Sequence, residues 1–251
     1  MPRISGLLLL LVLPVTSLAA DTLTVAVASN FIQAARELAT EFEAQTGHEV
    51  LFSASSSGKL YAQISHGAPF DVFLSADEER PTLLAEKGLA VPESRFTYAT
   101  GQLTLWSVDD SYMGKDCAAE LKAGRFDKLA IANPRTAPYG VAAEQAMTAL
   151  GLKPAELAAR IATGESIAQT LQFVASRSAS MGFIATAQLG LPDIPAGTCR
   201  WPVPAEYHAP IRQQAVLLAR SADKPAAVAF MAFLADAEAS KVIRAHGYGL
   251  E

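Results

Sequence analysis

The chain is short of the side chains on which most catalysis and nucleic-acid binding rest. Its four histidines, His48, His66, His208 and His246, show no pairing at metal-ligand spacing. No Gly-x-Ser-x-Gly elbow accompanies them and none lies near a serine-rich segment, so a secreted serine hydrolase has no visible base. Gly58-Lys59 lacks both the glycine five positions earlier and the following hydroxyl residue that a Walker-type phosphate loop needs. Basic residues, 20 against 25 acidic for a formal charge of −5, form no run. That balance argues against nucleic acid, anionic membranes and long-range steering of anions. The carboxylate pairs Glu78-Glu79 and Asp109-Asp110 sit beside turns or helix starts and read as surface charge. Any anion site must be built locally.

Long apolar runs are scarce as well. The one at 7–13 follows Arg3 and precedes the small residues Ser17, Ala19 and Ala20, which is the pattern of a secretory signal peptide. It is shorter than the roughly 20 residues a membrane-spanning helix needs, and a retained anchor would call for a stop-transfer flank that is absent after Ala20. Residues 1–20 are read as the signal and the rest as an exported protein starting at Ala20 or Asp21. Loss of Arg3 makes that chain one unit more negative. In an oxidising compartment the two cysteines, Cys117 and Cys199, are expected to form a disulfide, the alternative being two separate buried thiols. Closing so long a loop is worth about 4–5 kcal/mol in the entropic model.

The mature part has about 230 residues, enough for one large domain or two small ones. Residues 23–28 are a short apolar run of the kind buried in a parallel sheet. Phe31, Ala34, Ala35, Leu38 and Phe42 then mark one face of a helix that Gly47 stops. Strands at 49–52 and 70–74 alternate with helices at 58–65 and 81–87. A second set follows, with strands at 103–108, 129–132 and 181–184 and helices at 141–150, 154–160 and 168–176. The run at 215–218 and helices at 226–234 and 237–245 return to the first unit. Strands alternating with helices predict an α/β protein of two lobes, each a mostly parallel sheet flanked by helices. Residues 21–99 and 206–251 would form lobe I and residues 100–205 lobe II. The chain crosses twice between them, leaving a hinged cleft. There is no internal repeat and no low-complexity segment.

Four short segments place hydroxyl, amide or glycine residues just before a helix: Ala28-Ser29-Asn30, Ser55-Ser56-Ser57-Gly58, Ala137-Pro138-Tyr139-Gly140 and Gly164-Glu165-Ser166-Ile167. Helix N-termini carry unpaired N–H groups and partial positive charge, so four of them converging would make a donor-only pocket for an anion. Each segment alone also reads as an ordinary cap or turn, and Tyr139 alone as a core or surface tyrosine. Ile167 offers only its backbone N–H. Lys59 and Arg135 are the nearest cations and are read as solvated.

Taken together these stretches resemble a known family. Ala28-Ser29-Asn30-Phe31, the run Ser55-Ser56-Ser57-Gly58-Lys59-Leu60-Tyr61-Ala62-Gln63-Ile64, the run Gly67-Ala68-Pro69-Phe70-Asp71-Val72-Phe73-Leu74-Ser75-Ala76-Asp77, and Asn133-Pro134 with Ala137-Pro138-Tyr139-Gly140 are similar to the molybdate-binding periplasmic proteins of ABC importers. The similarity extends from Leu23 to Gly249.

It implies a type II periplasmic-binding-protein fold, with no cofactor and no catalysis. The expected protein is a periplasmic monomer that binds molybdate or tungstate without counter-cations and passes it to a membrane permease. The ligand set implied is Ser29 and Asn30 at the end of the first strand, Ser57, the Tyr139 hydroxyl and the Ile167 amide, all reaching the metal only through the oxyanion's oxygens. Other members take their tyrosine from the stretch that here reads Gly182-Phe183-Ile184-Ala185 and has none, so the role falls to Tyr139. A binder of another tetrahedral oxyanion such as sulfate, or a sensory module with the same ligand chemistry, are the alternatives.

Overall fold

A computed structural model describes residues 20–250; the expected signal peptide, apart from Ala20, lies outside the described residues. The chain begins with β1 (Thr22–Ala28), α1 (Ile32–Thr46), β2 (Glu49–Ser55), α2 (Ser57–Ser65), β3 (Val72–Leu74), α3 (Glu79–Glu86) and β4 (Phe96–Gly101). Next come β5 (Leu103–Ser107), α4 (Cys117–Lys122), β6 (Leu129–Ala132), α5 (Pro138–Ala149), β7 (Ile161–Gly164), α6 (Ile167–Ala175), β8 (Met181–Ala185) and β9 (Cys199–Pro202). The last elements are β10 (Ile211–Leu217), α7 (Pro225–Leu234) and α8 (Ala237–Ala245).

The strands form two five-stranded sheets, ordered β2-β1-β3-β10-β4 and β7-β6-β8-β5-β9. The chain passes between them twice, from β4 to β5 and from β9 to β10. Each sheet is mostly parallel, as the strand and helix alternation suggested, with one strand reversed: β1 pairs in parallel with β2 and β3, whereas β10 runs antiparallel to β3 and β4, so four of the five strands share a direction. The second sheet repeats the arrangement, with β6 parallel to β7 and β8 and β5 antiparallel to β8 and β9. The reason is geometric. Strands β1, β3, β6 and β8 run toward the space between the sheets, so a strand entering from that space, β5 or β10, must run away from it.

Periodicity explains the helices. Ala34, Ala35, Leu38 and Phe42 of α1 are buried as predicted, and fully burying a Leu or Phe contributes about 1.5–3 kcal/mol. Gly47 ends the helix at φ 72°, the left-handed conformation that favours glycine. The segment Pro154–Arg160 is a 3-10 helix rather than an α-helix, and none of its residues is buried to anchor a longer one. Cys117 at the start of α4 and Cys199 at the start of β9 are joined in a disulfide, their Cα atoms 5.6 Å apart across a sequence separation of 82.

Candidate functional site

The first N-termini arise at the end of β1 and at α2. The turn after β1 differs from its expected role: Ser29 and Asn30 do not cap α1, which begins after Phe31 without a side-chain cap. Their side chains are freed for other work. Ser29 continues the sheet by donating its N–H to the Ser55 carbonyl at 2.8 Å, which holds its hydroxyl at the sheet edge. The Asn30 amide donates to Gln213 Oε1 at 2.9 Å and to the Tyr248 oxygen at 3.2 Å. Its backbone N–H has no partner among the described residues. Ser57 opens α2, and its hydroxyl accepts from the Ala76 N–H at 2.9 Å, leaving the hydroxyl hydrogen available.

From the other unit come α5 and α6. Pro138 starts α5 as a proline fits a first turn, which carries Tyr139 inward. Ile167 is the first residue of α6, capped by Ser166 whose hydroxyl accepts from the Gln169 N–H. As the first helical residue, Ile167 has an N–H without an intrahelical partner.

Ser29, Asn30, Ser57, Tyr139 and Ile167 all line one small cavity. Ser56 lines it too, together with three alanines and one proline, and among the described residues no Lys, Arg, His, Asp or Glu does. The Ser29 and Ser56 hydroxyls are buried without a hydrogen-bond partner, although burying a hydroxyl unpaired costs about 1–3 kcal/mol. Such atoms mark a place that expects an acceptor. The Tyr139 hydroxyl is held well above the ordinary tyrosine pKa, first by burial and then by neighbouring Tyr248, with the Gln213 hydrogen bond opposing. It therefore stays protonated and keeps its donor hydrogen.

The cations stand outside. Lys59 pairs with Glu165 at 2.7 Å, with side chains 42% and 58% exposed, so the solvated lysine of the sequence is a partly exposed ion pair between α2 and the turn before α6. Arg135 is exposed. Two further contacts join the same two units: the Gly58 N–H donates to the Thr136 carbonyl at 2.8 Å, and Arg80 reaches the Arg135 carbonyl at 3.3 Å. The motif that contains Ser56 was visible in the sequence, but Gln213, Tyr98 and Tyr248 were not singled out. The signal for Gln213 was a polar residue in register with Ile211, Ala215 and Leu217 on the buried face of β10.

The bacterial extracellular solute-binding protein model matches residues 23–249. The chain belongs to that family. The molybdate-binding protein ModA of Azotobacter vinelandii is 46% identical over 227 residues, covering 90% of this chain and 89% of the relative. ModA of Rhodobacter capsulatus is 43% identical over 233 residues, covering 93% and 90%. The solved Azotobacter vinelandii periplasmic molybdate-binding protein superposes with a TM-score of 0.84 at 42% identity, covering 91% of this chain and 99% of that structure. These relatives are named as binding proteins, and the cavity described above is walled by hydroxyls and helix N-termini from two units.

Proposed function

We propose that this protein binds molybdate and tungstate in the periplasm and delivers them to the membrane permease of an ABC importer. It does so as a monomer and without catalysing a reaction. One observation carries the reading: five donors expected from the sequence, Ser29, Asn30, Ser57, Tyr139 and Ile167, share a cavity that no charged side chain among the described residues lines. Molybdate at neutral pH is a fully deprotonated tetrahedral dianion that accepts hydrogen bonds and donates none. Hydrogen bonds to a charged group are about twice as strong as neutral ones, and a partly buried helix N-terminus adds up to about 2 kcal/mol. Several of each hold a desolvated dianion without a lysine. The relatives named for molybdate support the choice of ligand.

Lobe I, residues 21–99 and 206–251, supplies Ser29, Asn30 and Ser57. Lobe II, residues 100–205, supplies Tyr139 and Ile167, so the ligand favours the closed arrangement by touching both. Sulfate has the same charge and shape but shorter bonds to oxygen, and donors set for the larger ion sit too far from it. Phosphate carries a proton for which a donor-only wall has no acceptor. A thermal-shift panel of tetrahedral oxyanions on the mature protein tests this, because a ligand that binds only the folded state raises its apparent stability. Molybdate and tungstate are expected to raise the midpoint at micromolar concentration and sulfate and phosphate to leave it unmoved. Equal shifts with sulfate would replace the reading with that of a general oxyanion binder.

A further inference from the structure

We infer that Gln213 is a positioning residue that fixes Tyr139 as a hydrogen-bond donor to the bound oxyanion, through a chain of bonds whose direction is set at the Asn30 carbonyl. The inference rests on the proposed oxyanion site. It begins with a group that only accepts. Tyr248 donates its one hydrogen to the Asn30 carbonyl at 2.7 Å, so toward the Asn30 side chain the Tyr248 oxygen is an acceptor. That contact, at 3.2 Å, therefore involves Nδ2. The other Nδ2 hydrogen points to Gln213 at 2.9 Å, which must present Oε1 there. Tyr98 lies 3.2 Å from the same Oε1 and 3.1 Å from the Ser75 carbonyl, two acceptors that share its one hydrogen. The remaining end of Gln213, Nε2, faces the Tyr139 oxygen at 3.4 Å.

Neither amide can turn over without setting two donors or two acceptors against each other, and Gln213 is fully buried. Tyr139 thus accepts from β10 and must send its own hydrogen elsewhere. The β4 side is filled by backbone: a Cβ at Gly101 would stand 2.2 Å from the Tyr139 oxygen. What remains is the cavity that Tyr139 lines.

Two consequences follow. The donor is aligned before the ligand arrives, which lowers the ordering cost of binding. The hydroxyl is also prevented from turning its lone pairs to a protonated oxyanion, so Gln213 contributes to rejection of hydrogenphosphate without touching it. The Gln213–Tyr139 bond runs between β10 and α5, so it also ties the closed arrangement together.

The test is a double-mutant cycle read by calorimetry with molybdate on wild type, Tyr139→Phe, Gln213→Glu and the double variant. A carboxylate at 213 only accepts, so it draws the Tyr139 hydrogen out of the cavity. Tyr139→Phe is expected to weaken binding about ten- to hundredfold and Gln213→Glu at least as much. The double variant should match Gln213→Glu within about twofold, since both changes remove one donor. Losses that multiply, or wild-type affinity in Gln213→Glu, overturn the inference.

Should Gln213→Glu fail to fold, Gln213→Met keeps the volume and frees the tyrosine hydroxyl. Its molybdate-to-phosphate affinity ratio is then expected to fall, and an unchanged ratio overturns the inference. A wild-type protein that binds no molybdate overturns the functional reading itself, a result distinct from wild-type binding with an additive cycle.

Discussion

The two serines at the ends of β1 and β2 differ in what they do before any ligand is present. Ser57 accepts from the buried Ala76 N–H, so Ser57→Ala removes both a proposed oxyanion donor and a structural acceptor. It is expected to weaken molybdate binding by about 1.5–3 kcal/mol and to destabilise the ligand-free protein by about 1–3 kcal/mol. The Ser29 hydroxyl has no partner, so Ser29→Ala should cost a similar loss of affinity with no fall in ligand-free stability. Calorimetry and thermal unfolding of the two variants separate the cases, and equal stability losses would contradict the assignment of Ser29. Lys59→Ala serves as the control: a half-exposed ion pair contributes about 0–1 kcal/mol, so affinity should change little. A large loss there would place charge balance on the lysine.

Among the elements, α2 shows how closely the two units approach. A Cβ on Gly58 would lie 2.8 Å from the Thr136 Cα and 3.0 Å from its carbonyl oxygen, backbone atoms that cannot swing aside. Gly58→Ala is expected to leave the ligand-free protein at least as stable, because alanine suits a helix better by about 0.5–1 kcal/mol. It should at the same time reduce the molybdate-induced rise in unfolding temperature, since closure is blocked. Full ligand-induced stabilisation in this variant would mean that the Gly58 contact is no part of closure.

Which elements could be read in advance follows from their surroundings. The strands buried on both faces, β1, β3, β6 and β8, announce themselves as apolar runs, and the helices by their apolar stripes. Strands β4, β7 and β9 gave no such signal, and all three lie at sheet edges, where only part of the surface is covered and polar residues are tolerated. The short α4 buries only Cys117, Glu120 and Leu121, too few positions to establish a period. The same reasoning covers the site. Donors at helix starts are legible because capping chemistry has a local spacing, whereas the contact of Gln213 with Asn30 spans 183 positions of sequence and has no local trace.

At the scale of the whole molecule, Asp71 fastens the first sheet to the C-terminal helices. Its carboxylate accepts from the Thr24 N–H at 2.7 Å, the Ser221 hydroxyl at 2.6 Å and Lys224 at 2.9 Å. Burial pushes its pKa up, but the bonds from Ser221, Thr24 and Lys224 outweigh burial and hold it below the usual aspartate value. A carboxyl depressed in the folded state adds stability above its unfolded pKa of about 4 and loses it as pH falls through the folded value. Wild type should therefore lose stability on acidification below pH ~4 more steeply than Asp71→Asn, which should be the less stable of the two at neutral pH. Thermal unfolding measured across that range checks it, and parallel curves would remove Asp71 from the acid response.

The ligand wall has a different character from this ionic fastening. Its donors are backbone amides, serine hydroxyls and a phenol too strongly buried to lose its proton. Such a receptor carries neither a proton dial nor a salt dial. Counter-ions have no wall charge to shield, and acidity can act on capture only through the guest's own protonation. On the proposed function, release would then follow from opening of the two units, which would place control of the hand-over in whatever opens them and not in the composition of the surrounding fluid.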